Sequence, residues 1–357
     1  MIWILMFLGA FVASIAGIVF MISCLTKFNL IKNKIVAFLI IALLFCFFYF
    51  TLEWINALTI TIYTTFFFLL FEFIGRKFLK NFTPKCKCYW QGWLAIICSI
   101  AYLGAGYYFC VSVVEKDYTL TTDKNLGQLK VAMIADSHLS TTFDGEGFAK
   151  HLKTIEAQSP DILLISGDFV DDGSKNIDME KACEALGNLN LKYGVWFVYG
   201  NHDAGYFSHR DFSEADLENA LIKNGVHILE DECTLIDNKF YVVGRRDKGI
   251  NPNRTRCSTL VSTLDKSKYI IMLDHEPADY DAEASAGVDL VLSGHTHGGQ
   301  LIPITFIGEW VGANDATYGY ERRENTDFIV TSGISDWALK FKTGTRSEYV
   351  IIDITGN

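Results

Sequence analysis

Charged residues are missing from four long stretches in the first 114 residues of this 357-residue chain. The uncharged stretches are 1–26, 35–52, 54–71 and 88–114, and each approaches or exceeds the roughly 20 apolar residues that a helix needs to cross a bilayer. A buried helical bundle of a soluble protein would keep a polar face on its outer helices, so the composition argues against that alternative. We therefore expect residues 1–114 to form four transmembrane helices, each pairing its own backbone groups.

Cysteine and basic residues are scarce in the rest of the chain. Of nine cysteines, only Cys183, Cys233 and Cys257 follow residue 114, and their spacing matches neither a disulfide framework nor a zinc knuckle. Residues 1–114 hold eight Lys or Arg against two Asp or Glu, whereas residues 115–357 hold 23 against 39. Nonspecific binding of nucleic acid needs cationic groups that neutralise phosphates, so we expect no nucleic-acid partner.

The first apolar stretch lacks the basic segment and the small-residue cleavage site of a secretory signal peptide, so we expect it to be retained. Basic residues concentrate in the first and third of the short loops: Lys27, Lys32 and Lys34, then Arg76, Lys77, Lys80, Lys85 and Lys87. The positive-inside rule places these loops in the cytoplasm. The expected protein is therefore a multi-pass protein of the plasma membrane, with the residues after 114 outside the cytoplasm.

The polar stretch 115–128 predicts a linker between the membrane region and one domain over residues 129–357. In that domain short apolar runs alternate with amphipathic helical segments, a pattern typical of α/β layering with buried strands. Five residues that can bind metals each follow the end of an apolar run: Asp136, Asp168, Asn201, His275 and His295. Because ligands gather at the carboxyl ends of strands in α/β folds, we expect these residues to converge.

The motifs around these positions supply carboxylates, imidazoles and one amide. They are Asp136-Ser137-His138, Gly167-Asp168, Gly200-Asn201-His202-Asp203, His275 and Ser293-Gly294-His295-Thr296-His297-Gly298-Gly299-Gln300. Carboxylates offset metal charge and neutral imidazoles complete the coordination, so these residue types suit divalent metals. Two such metals about 3.5–4 Å apart can activate a water and bind the oxygens of a phosphoryl group.

This ordered set resembles the calcineurin-like metallophosphoesterases, and the extended Gly-His-Thr-His-Gly-Gly-Gln segment resembles a bacterial transmembrane branch of that family. The resemblance implies a four-layer α/β/β/α sandwich with two mixed sheets, joined to an α-helical membrane region. It also implies seven metal ligands: Asp136, His138, Asp168, Asn201, His275, His295 and His297. Asp168 would bridge the two metals, since a shared carboxylate lowers the repulsion between neighbouring cations.

The same resemblance implies catalytic roles for His202 and Asp203. His202 would stabilise phosphoryl oxygens or protonate the leaving group, and Asp203 would hold its imidazole in the useful tautomer. The implied reaction is hydrolysis of a phosphoester or phosphoanhydride by a hydroxide that bridges two metals, whether manganese, iron or zinc. Gly298 and Gly299 are expected to allow backbone to approach the metals or the phosphate closely. Asp171 is expected to be structural or to support a ligand.

Three functions fit these observations. The leading hypothesis is a membrane-anchored phosphohydrolase that acts at the outer face of the membrane. Its substrate would be a phosphorylated compound at the bilayer, such as a lipid-linked phosphate. One alternative is a tethered phosphodiesterase or nucleotidase for soluble substrates, and the other is a non-catalytic membrane sensor that retains the domain. The complete ligand set favours an enzyme over the sensor.

Overall fold

The computed structural model describes residues 2–28, 31–78, 88–206 and 210–357. Its N-terminal part contains four helices, α1 (Ile2–Leu25), α2 (Lys34–Leu52), α3 (Trp54–Lys77) and α4 (Trp90–Val111). Asn33 caps α2 by accepting a hydrogen bond from the Ile35 amide, and Glu53, at φ 71°, separates α2 from α3. All four helices are long and apolar enough to cross a membrane, which confirms the expected set of four apolar helices.

Charge appears in helix α3 only near its end. The buried carboxylate of Glu72 accepts hydrogen bonds from Lys27 Nζ at 2.5 Å and Tyr89 Oη at 2.6 Å, and Arg76 Nη2 lies 3.3 Å away. Such partners allow a carboxylate to stay charged out of water. Three residues of the predicted basic loop, Lys80, Lys85 and Lys87, lie outside the described residues.

The chain divides into two compact units, 1–108 with 338–341, and 109–337 with 342–357. Within the first unit, Asn56 Nδ2 donates to Ala338 O at 2.9 Å, and its Oδ1 accepts from Lys340 N at 2.8 Å. The predicted end of the membrane region at residue 114 lies a few residues beyond this division. The grouping of residues 338–341 with the helices was not predicted.

The stretch predicted to be a linker contains a strand in the structure. Strand β1 (Val114–Thr121) pairs in parallel with the C-terminal strand β12 (Glu348–Thr355) and forms the edge of a sheet. Most of its side chains are exposed. An edge strand of this kind buries few apolar groups, so its sequence resembles that of a linker.

The first mixed sheet has the order β1-β12-β2-β3-β4-β5, in which β12 runs antiparallel to β2 and the strands from β2 to β5 are parallel. Its remaining strands are β2 (Gln128–Ile134), β3 (Ile162–Ser166), β4 (Val195–Val198) and β5 (His227–Ile228). The helices between these strands are α5 (Gly145–Glu156), α6 (Asn176–Gly187) and α7 (Glu214–Lys223).

The second mixed sheet has the order β10-β11-β9-β8-β7-β6, with antiparallel pairs at both edges and parallel pairs between them. Its strands are β6 (Glu232–Ile236), β7 (Phe240–Gly244), β8 (Tyr269–Leu273), β9 (Leu290–Ser293), β10 (Gly319–Arg323) and β11 (Thr326–Val330). Three short helices belong to this half of the unit: α8 (Cys257–Leu260), α9 (Tyr280–Ser285) and α10 (Ile307–Trp310).

Alternating side chains of the strands fill three apolar layers. Val131 and Met133 of β2 pack with Ile271 of β8 between the two sheets, whereas Ala132 of the same strand packs on the side of helices α5, α6 and α7. The other face of the second sheet is covered by residues of α8 and α9, including Tyr280. The predicted four-layer α/β/β/α sandwich with two mixed sheets is therefore confirmed.

Candidate metal centre

The loops that follow five parallel strands carry the predicted ligands. In the first sheet these loops follow β2, β3 and β4, and in the second sheet they follow β8 and β9. In that order they hold Asp136 with His138, Asp168, Asn201 with His202, His275, and His295 with His297. Because the carboxyl ends of parallel strands meet at one edge of a sheet, each sheet presents its own ligands there.

Six of the seven predicted ligands form two groups of three. Asp136, His138 and His297 offer ligand atoms that all lie within 4.8 Å of one another, and all three residues are buried. A second group of the same compactness contains Asp168, His275 and His295. The seventh residue, Asn201, adjoins the second group, since its Oδ1 lies 2.9 Å from His295 Nδ1.

Asp168 lies between the two groups. Its Oδ2 is 3.1 Å from His275 Nε2 in its own group and 3.7 Å from His138 Nε2 in the other. Burial opposes ionisation of this carboxyl, but His275 and His138 outweigh that effect and hold its pKa well below the usual range. A carboxylate in this position can contact a cation in either group.

The residues fit two divalent cations. The Nε2 atom of His138 is buried without a hydrogen-bond partner among the described residues, which is unusual unless a ligand completes it. Glycine keeps space open beside the carboxylates: a Cβ on Gly200 would lie 2.3 Å from Asp168 Oδ1, and one on Gly294 would lie 2.6 Å from Asp136 Oδ2. The carboxylates and imidazoles are ligands that manganese, iron and zinc accept.

The backbone at these positions is strained. Five of the seven predicted ligands have positive φ although none is glycine: Asp136 (55°), His138 (37°), Asp168 (53°), His295 (70°) and His297 (50°). Each such residue costs on the order of 1–3 kcal/mol and persists only where the surrounding fold enforces it. Strain at so many chemically suited residues points to a functional site.

The protonation of the histidines reflects the density of carboxylates. Burial opposes protonation of His138, but Asp171, Asp168 and Asp136 outweigh it and raise its pKa to about 9. The pKa of His275 is raised in the same way, because the effect of Asp168 outweighs that of burial. Burial and the nearby His275 instead lower the pKa of His295 to about 3. Because cations require neutral imidazole, metal binding here would release protons.

Two of the candidate ligand histidines have an oxygen atom beside their second ring nitrogen. His138 Nδ1 lies 3.4 Å from Asp171 Oδ2, and His275 Nδ1 lies 2.7 Å from Ser166 O. Such contacts fix the orientation of the ring and leave Nε2 for a metal. The supporting role expected for Asp171 matches this geometry, although the sequence did not identify its partner.

His297 has a partner that the sequence did not predict. Its Nδ1 lies 3.3 Å from Oδ1 of Asp336, which is fully buried and forms an ion pair with the equally buried Lys342 at 3.1 Å. Burial opposes ionisation of Asp336, but Lys342 outweighs it and lowers the pKa of this carboxyl. Neither residue was among the predicted site residues.

Asp203 has different partners from those predicted. Its carboxylate accepts four hydrogen bonds from backbone amides, those of Asp168, Phe169, Val170 and Gly200, at 2.8–3.0 Å. Burial and the neighbouring Asp168 raise its pKa to about 7. Asp203 therefore shapes the loop that holds Asp168, whereas the sequence predicted that it would orient the imidazole of His202.

Aromatic rings surround His202. Its imidazole lies 5.0 Å from the ring of His138, 5.1 Å from Tyr206 and 6.0 Å from Trp337, measured between ring centroids. Tyr206 also accepts a hydrogen bond from Asn201 Nδ2 at 2.7 Å. Burial and the neighbouring His138 lower the pKa of His202 to about 4, although Asp168 acts in the opposite direction.

An ion-pair network supports the loop before His275. Arg254 donates two hydrogen bonds to the carboxylate of Asp274, at 2.6 and 2.8 Å, and Arg245 donates a third at 2.8 Å. All three side chains are buried. The ring of His275 contacts Ser166 O and not the neighbouring Asp274. The network therefore contributes to stability more than to metal binding.

We predict that Arg254→Lys lowers the free energy of unfolding by about 2 kcal/mol, because an ammonium group cannot keep both bonds to Asp274. Hydrolytic activity at low temperature should be unchanged. Urea unfolding of the full chain in detergent measures the effect. Arg246→Lys is the matched control, since its pair with Glu230 is exposed and should contribute under about 0.5 kcal/mol. Equal losses in both variants would contradict the prediction.

A sequence profile of the calcineurin-like phosphoesterases matches residues 129–299. An uncharacterised metallophosphoesterase of Aquifex aeolicus is 34% identical over 203 residues, which cover 55% of this chain and 72% of that protein. The chain belongs to the calcineurin-like metallophosphoesterase family, as its motifs predicted. Members of this family are phosphoesterase hydrolases that use divalent metals.

Two further relatives are longer than the part they share with this chain. A metallophosphoesterase of Campylobacter jejuni is 29% identical over 230 residues, which cover 64% of this chain and 59% of the relative. A Danio rerio protein described as a transmembrane protein with a metallophosphoesterase domain is 27% identical over 248 residues, 63% of this chain and 53% of the relative. This chain thus spans between half and three-fifths of these relatives. Together with the four apolar helices, the Danio rerio relative indicates a membrane protein.

Proposed function

We propose that this protein is a membrane-anchored phosphohydrolase with two divalent metal ions, whose phosphorylated substrate lies at the outer face of the plasma membrane. The observation that carries the proposal is the pair of three-residue groups, with Asp168 of one group only 3.7 Å from His138 of the other. When bound, two divalent ions lower the pKa of a water molecule and neutralise the charge of a phosphoryl group.

The seven predicted ligands can be assigned to two metal ions. Asp136, His138 and His297 would hold one ion, while His275, His295 and Asn201 would hold the other, and Asp168 would be available to both. Asp171, Ser166 O and Asp336 fix the rings of the histidines from behind. This support keeps the ligand atoms in place before the substrate arrives, which lowers the cost of reorganisation during the reaction.

His202 is the proposed contact to the substrate. Its ring is half-buried beside His138, and a pKa near 4 keeps it neutral at physiological pH. A neutral imidazole donates a hydrogen bond from one nitrogen, so stabilisation of a phosphoryl oxygen is favoured over protonation of the leaving group.

His202→Ala is expected to lower kcat about 10²-fold while the metal content stays unchanged, because the variant loses a hydrogen bond to the transition state. The ratio of wild-type to variant activity should be constant from about pH 5.5 to 8, since the pKa lies below that range. Measuring both enzymes across this range separates the two roles. A ratio that falls as pH rises would indicate that His202 acts as a proton donor.

The basic loops support an outer location of the phosphoesterase unit. Lys27, Lys32 and Lys34 follow the first span, and Arg76 and Lys77 end the third, which favours a cytoplasmic side for both loops. Protease added to intact cells should therefore digest residues 115–357. Protection of this region in intact cells, with digestion after permeabilisation, would reverse the orientation.

The proposed activity is tested with the full chain purified in detergent, stripped of metals and supplied with manganese, iron or zinc. Chromogenic phosphomonoesters and phosphodiesters serve as substrates. Metal-dependent hydrolysis that His202→Ala diminishes would support the proposal and identify the class of ester. A folded protein that binds metal but hydrolyses no phosphoester would instead favour a membrane sensor.

A further inference from the structure

An exposed apolar surface follows the metal-binding turn directly. The side chains of five residues between 302 and 311 are 42–72% exposed: Ile302, Ile304, Phe306, Trp310 and Val311. Elsewhere among the described residues of the phosphoesterase unit, exposed large apolar side chains are scattered singly or in the pair Tyr318 and Tyr320. We refer to the five residues as the apolar surface. Contiguous exposed apolar groups of this kind mark interaction sites.

The apolar surface is joined to the candidate metal centre by backbone packing. The turn His297–Gly299 contains the ligand His297, and a Cβ on Gly299 would lie 2.2 Å from Thr305 O. Gly299 also has φ +72°, so only glycine lets the loop pack so closely on the turn. Besides the predicted approach of the paired glycines to metals or phosphate, Gly299 thus brings the loop that carries the apolar surface against the ligand turn.

The composition of the apolar surface suits a lipid interface. Glu309 is the only charged residue between 301 and 312, and the exposed groups include Trp310 and Phe306. Tryptophan, phenylalanine and aliphatic residues together are typical of segments that lie in the headgroup region of a bilayer. The same chain has four helices that are apolar enough to span a membrane. Attachment to such helices would keep the local concentration of lipid high for the apolar surface.

We infer that the apolar surface docks into the outer lipid interface and that the metal centre hydrolyses phosphoesters that carry long hydrocarbon chains. This inference rests on the proposed function and specifies its substrate class. The hydrocarbon part of the substrate lies along Ile302, Ile304 and Phe306, while its phosphate reaches the ligands beside His297. In the reaction the oxygen of a water molecule replaces the leaving oxygen on phosphorus, and the leaving group takes up a proton.

The test compares two chromogenic phosphodiesters that differ only in one alkyl group, p-nitrophenyl hexadecyl phosphate and p-nitrophenyl ethyl phosphate. The full chain in detergent micelles should prefer the hexadecyl ester by about tenfold or more in kcat/KM. Ile302→Ser/Ile304→Ser should reduce this preference about tenfold, because it removes apolar contact with the chain. The control Ile177→Ser/Ile222→Ser makes the same change at isolated exposed positions and should leave the preference unchanged.

Hydrolysis of the ethyl ester shows whether each variant is folded and active. An unchanged preference in Ile302→Ser/Ile304→Ser, or an equal loss in the control pair, would overturn the inference. A change in oligomeric mass of Ile302→Ser/Ile304→Ser in detergent would show that the apolar surface pairs two copies, and would overturn it as well. If wild type hydrolyses neither diester but does hydrolyse a chromogenic phosphomonoester, the inferred substrate class is wrong while the proposed function stands. If it hydrolyses no phosphoester of either class, the proposed function fails. In both cases docking is judged by a separate measurement.

That measurement uses phosphatidylcholine nanodiscs with brominated acyl chains, which quench nearby tryptophan fluorescence. Trp310→Phe should lower the quenched fraction of the total fluorescence, because Trp310 lies in the lipid interface. An equal or higher quenched fraction in Trp310→Phe would show that Trp310 stays in water, and would overturn the docking of the apolar surface.

Discussion

Asp168→Asn is expected to lower phosphoester hydrolysis on the order of 10³-fold and to reduce the bound metal from about two ions per chain to about one. Asparagine keeps the shape of the side chain and can still accept the hydrogen bond from His202 N at 2.8 Å. It loses the negative charge that lies between the two ligand groups. Without that charge, two neighbouring cations repel each other with little compensation.

Metal analysis by mass spectrometry and assays of kcat on the same sample measure this effect. Asp211→Asn is the matched control, because its carboxylate is exposed and, within the described part of the chain, accepts one hydrogen bond, from Asn176 N. It should retain wild-type activity and metal content. Full activity in Asp168→Asn would show that hydrolysis does not depend on the carboxylate of Asp168, whatever the metal content.

Substitution of Asp336, which pairs with Lys342, should also have a large effect. It should lower both the stability of the fold and the affinity for metal, and the two losses have different causes. Asp336→Asn leaves a buried ammonium without its partner, so we expect a loss of about 3–5 kcal/mol in the free energy of unfolding. The same variant releases the ring of His297, which should weaken metal binding about 10–100-fold.

The double variant Asp336→Asn/Lys342→Met distinguishes these effects. Removing both charges should restore most of the stability, because neither is left unpaired. Metal affinity should remain low, since His297 still lacks its carboxylate. Isothermal titration with manganese measures the metal affinity of each variant, and urea unfolding measures its free energy of unfolding. Recovery of metal affinity together with stability would show that Asp336 acts only through the fold.

Much of the site could be predicted because its signals are local. The four apolar stretches and the buried strands are continuous in sequence, and each ligand follows the end of such a strand by a few residues. Parallel strands bring their carboxyl ends together whatever the loops contain. The convergence of Asp136 and Asp168, which follow neighbouring strands of the first sheet, therefore follows from the pattern of strands. His275 joins them from the second sheet.

The parts that could not be predicted depend on contacts between distant residues. Asp336 and Lys342 follow the last ligand by more than thirty residues, and only the folded chain places the carboxylate beside His297. Asp203 adjoins His202 in sequence, which suggested a contact, but its side chain turns to four backbone amides. Strand β1 was missed because its partner, β12, lies at the other end of the chain.

The proposed function requires one chain to hold two metal ions that share Asp168. Titration of the metal-free full chain with Mn²⁺, followed by electron paramagnetic resonance, tests it directly. We expect about two ions to bind per chain and to give the signal of a magnetically coupled pair, as ions about 3.5–4 Å apart do. Binding of a single uncoupled ion, or of none by the folded protein, would contradict it.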